Sequence, residues 1–110
     1  MTVRSAVLGR IQVPTANVFF TIGTVPAGQT WLLKQLNFVG GSATAANVIV
    51  DAADQTATLF ARWIPAPIAF GKAAEISTSL VLVPGDFIRV QSDQVGTWFW
   101  VSGSKLSGVA

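Results

Sequence analysis

The chain has no cysteine and no histidine, and of its 110 residues only seven are basic and five acidic. Without cysteine there is no disulfide staple, no thiolate nucleophile and no thiolate metal centre. Without histidine the usual general base is missing, and so is the commonest imidazole metal ligand. Serines are plentiful, but a serine nucleophile needs a base within hydrogen-bond reach. Only lysines could serve, and the run Ser102-Gly103-Ser104-Lys105 is not taken as such a pair. Gly71-Lys72-Ala73 lacks the glycine spacing of a phosphate loop. The sequence therefore predicts no enzyme and no cofactor.

Charge is equally sparse. Charged residues make up 11% of the chain, against about 25% in an average soluble domain. Hydrophobic residues make up 51%, so a domain this small must leave apolar surface exposed, and contiguous exposure of that kind marks interfaces. The expectation is self-association into a trimer or ring. The basic residues Arg4, Arg10, Lys34, Arg62, Lys72, Arg89 and Lys105 are never adjacent. A scattered net charge of +2 is no nucleic-acid footprint. The uncharged stretch from Ile11 to Leu33 is broken by Pro14, Asn17, Gly23, Pro26, Gly28 and Gln29, so it is no membrane-spanning helix, which wants about 20 apolar residues. Residues 1–8 have too short an apolar core for a secretory signal. The reading is a soluble protein made in the cytoplasm. An oligomeric β-pore, suggested by the apolar content, lacks aromatic girdles and long alternating strands.

What is present is strand and turn. Val25-Pro26-Ala27-Gly28-Gln29 and Val83-Pro84-Gly85-Asp86 each stop one apolar run and launch the next. Proline presets φ and glycine accepts the left-handed conformation, so the chain reverses without strain. Strands are predicted at 18–22, 31–39, 47–50, 56–64, 76–83, 87–92 and 97–106, the last broken or bulged at Gly103. In 31–39 the even positions Leu32, Leu36 and Phe38 form an apolar face, with Lys34 as the exception. Residues 51–55 read as a polar turn. An amphipathic helix over 52–63 competes with the strand, but the threonines and Pro65-Ala66-Pro67 favour the strand. Seven or eight strands with turns every 8–12 residues predict an all-β, small antiparallel β-sandwich of jelly-roll type. Residues 1–16 are set apart as an extended N-terminal arm, reaching about 53 Å at ~3.3 Å per residue. The alternatives there are a frayed terminus or an edge strand. Residues 17–110 form the single domain.

The segments Val25 to Leu36, Glu75 to Ser92 and Trp98 to Lys105 resemble small β-sandwich virion structural proteins of tailed bacteriophages. Those proteins share the Val-Pro-Ala-Gly turn before a Thr-Trp strand, the Pro-Gly-Asp turn between two strands, and a Val-Ser-Gly ending. The resemblance implies a non-enzymatic virion subunit: a capsid decoration (cement) protein, or a head- or tail-associated part. Its partners would be further copies of itself and other virion proteins such as the major capsid protein. A tail- or fibre-associated adhesion module that binds host-surface glycan is the alternative. No active site, metal or cofactor is carried over.

Four tryptophans stand out as interface or glycan candidates: Trp31, Trp63, Trp98 and Trp100. Trp98 and Trp100 share one face of any strand, with Phe99 on the other. Core, subunit contact and sugar-stacking platform all remain open for that face. Pro26, Gly28, Pro84, Gly85 and Asp86 are structural turn residues, with Asp86 expected to accept backbone N–H bonds. Asp51 and Asp54 are two acids in a turn, too few for a Ca²⁺ cage of 6–8 oxygens. Arg89 is open to Asp86, Asp93 or a neighbouring subunit.

Overall fold

The computed structural model describes residues 2–107, and every regular element in it is a strand. These are β1 (Thr2–Gln12), β2 (Phe20–Thr24), β3 (Gln29–Val39), β4 (Val48–Ala53), β5 (Leu59–Trp63), β6 (Ala73–Leu82), β7 (Phe87–Ser92) and β8 (Trp98–Ser107). One sheet has the order β1-β8-β3-β6 and the other β2-β7-β4-β5. First pairs with last, second with seventh, third with sixth and fourth with fifth, always antiparallel. The chain is in effect one long hairpin rolled until its halves stack. That is a jelly roll, the architecture expected from the sequence.

The core lies between the sheets. Phe38 and Phe99 meet edge to face, ring centroids 5.6 Å apart, among the buried Leu33, Leu36, Val50, Ile88, Val90 and Val101. Simple alternation places most of these: in β7, Ile88, Val90 and Ser92 are buried while Phe87, Arg89 and Gln91 are half-exposed. Strand β3 departs from it. Trp31 and Leu33 face inward, then Leu36 and Phe38, so Leu32 does not join the buried face as its even position suggested. The cause is a bulge. Leu33 pairs with Gly103 and Gln35 with Ser102, leaving Lys34 as the extra, exposed residue that reverses the phase. The misplaced lysine of the sequence pattern thus marks the bulge itself.

A second bulge leaves Leu8 extra in β1, between the pairs Val7–Ser102 and Gly9–Val101. Both irregularities flank the same point of β8: a bulge is present at Gly103, as one of the two expectations had it, but its extra residues lie in β3 and β1, and β8 itself runs unbroken. Gly103 contributes differently. A Cβ there would lie 1.9 Å from the Leu32 carbonyl oxygen, so only glycine lets β3 pass so close.

Residues 2–12 are no free arm. They form the edge strand β1, paired with β8 from Thr2–Ser107 to Gln12–Trp98, with Leu8 buried inside it and Val13 buried just beyond it. This is the edge-strand alternative, and the sequence left it open because an edge strand needs few apolar residues when its backbone bonds are made by the neighbour. Met1 and residues 108–110, included in the expected arm and domain, lie outside the described residues.

The Pro-Gly turns are also not hairpins. Each carries the chain from one sheet to the other, β2 to β3 and β6 to β7. Gly28 (φ 80°) and Gly85 (φ 93°) adopt the left-handed conformation the turns require. The two turns hold one another: the Val25 amide donates to the Asp86 carbonyl at 2.9 Å, and the Gly85 amide to the Val25 carbonyl at 3.0 Å. Pro26 and Pro84 introduce them on the exposed side. The Asp86 carboxylate accepts the Val83 amide at 2.9 Å, as expected.

Residues 51–53 belong to β4 rather than to a turn, and Asp51 is fully buried. The turn follows it, and Asp54 organises that turn by accepting the Thr56 hydroxyl at 2.6 Å and the Thr56 and Thr58 amides.

Candidate binding surface on the outer sheet

Strand β8 presents Phe99 and Val101 to the core, so Trp98 and Trp100 stand on the outer face of the β1-β8-β3-β6 sheet. The core reading of this pair is thereby removed. Both are half-buried, and their rings stack with centroids 5.5 Å apart and planes inclined by 19°. One face of Trp100 is covered by Trp98. Trp100 also lines a groove of about 660 Å³, together with Ser102, Asn37, Val39, Ala73 and Glu75, with Val7 at its β1 end.

Register explains this assembly. Trp100 sits opposite Asn37 of β3, and Asn37 sits opposite Glu75 of β6, making one cross-strand row. The next row holds Ser102 and Gln35, and Gln35 Nε2 donates to Glu75 Oε2 at 3.0 Å. Arg10 of β1 pairs in register with Trp100 at the other end of the row. An aromatic wall, a carboxamide, a hydroxyl and a carboxylate therefore converge on one concavity. Sequence reasoning found the wall but not its polar partners: Ser102 lies on the same strand, but Asn37 and Glu75 come from strands 63 and 25 residues away and carry no local motif.

The other two tryptophans are elsewhere. Trp31 is 4% exposed in the core, its Nε1 donating to Gln29 Oε1 at 2.9 Å, with the Lys105 ammonium 5.1 Å from its ring centroid. Trp63 is half-buried against the core from β5. Neither belongs to the outer groove. The run Ser102-Gly103-Ser104-Lys105 does have the Ser-x-x-Lys spacing. On a strand that spacing sends Ser102 outward and Lys105 inward, so the two are no catalytic pair.

The acids are each engaged. Asp51 lies in a cross-strand row between Arg62 of β5 and Arg89 of β7. Arg62 Nε and Nη2 donate to it at 2.6 and 2.9 Å, and Arg89 Nε at 3.0 Å. Arg89 thus pairs with Asp51, not with Asp86 or Asp93, and its guanidinium also rests 4.4 Å from the Phe19 ring centroid. Burial alone would raise the Asp51 pKa, but the hydrogen bonds and charges of Arg62 and Arg89 outweigh it and hold the carboxyl below its ordinary value. Asp93 takes the Asn47 amide and carboxamide at 2.8 Å each.

No known family profile and no curated protein sequence matches the chain. Solved structures do. The chain superposes on a protein of the T13 particle of infectious bursal disease virus with a TM-score of 0.51 and 10% identity, over 97% of its own length and 31% of the other's. The VP2 protein in T=1 particles of the same virus gives a TM-score of 0.50 at 12% identity, over 97% and 32%. The likeness is one of fold. The chain spans about a third of the length of those proteins. A pentameric capsid protein from metagenomic phage sequences superposes at a TM-score of 0.38 with 16% identity, over 89% of this chain and 63% of that one. That match is too loose to carry a fold assignment.

Proposed function

We propose that this chain is a non-enzymatic structural subunit of a bacteriophage virion, acting as a capsid decoration or cement protein that self-associates and binds the shell. The observation that carries the reading is the jelly-roll strand order, realised over nearly the whole chain in the same fold as a virus-particle protein. The resemblance of its turn-and-strand sequences to tailed-phage virion proteins supports the phage assignment.

Surface chemistry supports assembly. Leu59 and Phe60 of β5 are 38% and 44% exposed, and Ile64 just beyond is 65% exposed. Strand β5 is also an unpaired edge of its sheet. An apolar, exposed edge invites a neighbour's strand or side chains. Cations of sheet β1-β8-β3-β6 and of the turn entering it (Arg4, Arg10, Lys34, Lys72, Lys105) outnumber its one acid, Glu75, by four. The remaining residues carry Arg62 and Arg89 against Asp51, Asp54, Asp86 and Asp93, a balance of −2 that sums with +4 to the net +2. The exposed cations among them, Arg4, Arg10, Lys34 and Lys72, are suited to an acidic patch on another virion protein.

The test is a density map of purified particles from the producing phage with peptide identification of this chain. Decoration requires many symmetry-related copies on the shell. Absence of the chain from purified particles would refute the reading.

A further inference from the structure

We propose that the groove beside Trp100 is a carbohydrate site that seats one hexopyranose ring, with the sugar's apolar face against the indole. The inference stands on the geometry of the groove and goes beyond the particle role proposed above. Its volume of about 660 Å³ falls in the range of small-molecule sites, roughly 300–1,000 Å³.

Trp98 fixes Trp100. With one indole face stacked on Trp98, ring centroids 5.5 Å apart, the ring is held in place before any ligand arrives. A pyranose offers what this wall lacks: a flat patch of C–H bonds on one face and a rim of hydroxyls, each both donor and acceptor. The groove supplies the matching groups. Asn37 brings a donor and an acceptor, Ser102 a hydroxyl, and Glu75 a carboxylate whose Oε2 is already steadied by Gln35. Val39 and Ala73, in the cross-strand row of Trp98, add apolar lining.

Other occupants fit less well. A nucleotide would bring phosphate toward Glu75, and no cation lines the groove. A second copy packed dry against the sheet would strand Asn37, Ser102 and Glu75 without water. A sugar satisfies them with its own hydroxyls.

The experiment uses the full chain labelled with ¹⁵N and titrated separately with D-galactose, D-glucose and N-acetyl-D-glucosamine. At least one sugar is expected to shift the Trp100 indole N–H and Asn37 side-chain signals saturably at millimolar concentration. Trp100→Ala should weaken that binding about tenfold or more through loss of the stacking surface, and Asn37→Ala several-fold, both with the fold intact and sedimentation unchanged. Phe60→Glu should leave sugar binding as it was. If Trp100→Ala does not fold, the Asn37→Ala titration decides. The proposal is overturned if none of the three sugars perturbs the groove. Unchanged affinity in the variant that folds would equally overturn it. So would a change in sedimentation on Trp100→Ala, since the face would then contact another copy.

Discussion

Asp51 shows at the scale of one residue how context overrides sequence. Read locally, an acid before Ala-Ala-Asp belongs in a solvated turn. In the fold it is the middle of a row of three, wholly buried under two guanidiniums. Nothing near it in sequence announces this, because Arg89 lies 38 residues away. Asp51→Asn should cost about 1–3 kcal/mol, since it weakens charge-assisted hydrogen bonds while the two arginines it leaves remain partly open to solvent. Chemical denaturation at neutral pH measures that cost. Because the folded-state pKa of Asp51 is depressed, its contribution is complete above the ordinary carboxylate range. It drains away as pH falls through the lowered value, in the region below about pH 4. The acid limb of the stability profile should therefore flatten in Asp51→Asn relative to the parent protein. A parallel limb would mean that other carboxylates dominate acid unfolding.

Individual strands were legible where period two is unbroken, as in β7, and misread where a bulge interrupts it. In β3 the phase changes at Lys34, and the alternation looks imperfect when it is in fact two correct halves joined out of step. Outer-face Trp98 and Trp100 were legible as a pair because β8 carries no extra residue. Their polar neighbours were not, since cross-strand register is decided by topology. Two expectations follow at this scale. Gly103→Ala should destabilise the fold by about 1–3 kcal/mol, as overpacking does, because the obstacle is the Leu32 backbone and not a movable side chain. Its melting temperature checks this, and an unchanged value would show that β3 can retreat. Deleting residues 2–12 should abolish cooperative melting, since β1 is the long flank of β8 and its bulged Leu8 is 4% exposed. A truncated chain that still melts cooperatively would restore the arm reading of this segment.

Across the whole molecule the composition foretold exposed apolar surface but not its location, which only the arrangement of edges reveals. Association through β5 is expected to give a stable trimer or ring in sedimentation at micromolar concentration. Phe60→Glu together with Ile64→Lys should reduce it to a monomer with unchanged circular dichroism. A wild-type monomer would leave the exposed edge without an assembly role. The pairing of Thr2 with Ser107 carries a last consequence, one of time. Strand β1 leaves the ribosome well before β8, its ladder partner, so the β1 edge of the sheet cannot close until β8 is made. At roughly 5–20 residues per second, β1 waits on the order of 5–20 s before β8 exists. Through that interval Val3, Val7 and Leu8 have no partner strand. A chain so arranged folds late and as a unit, and its yield in the cell should depend more on what shields that waiting segment than on the stability of the finished roll.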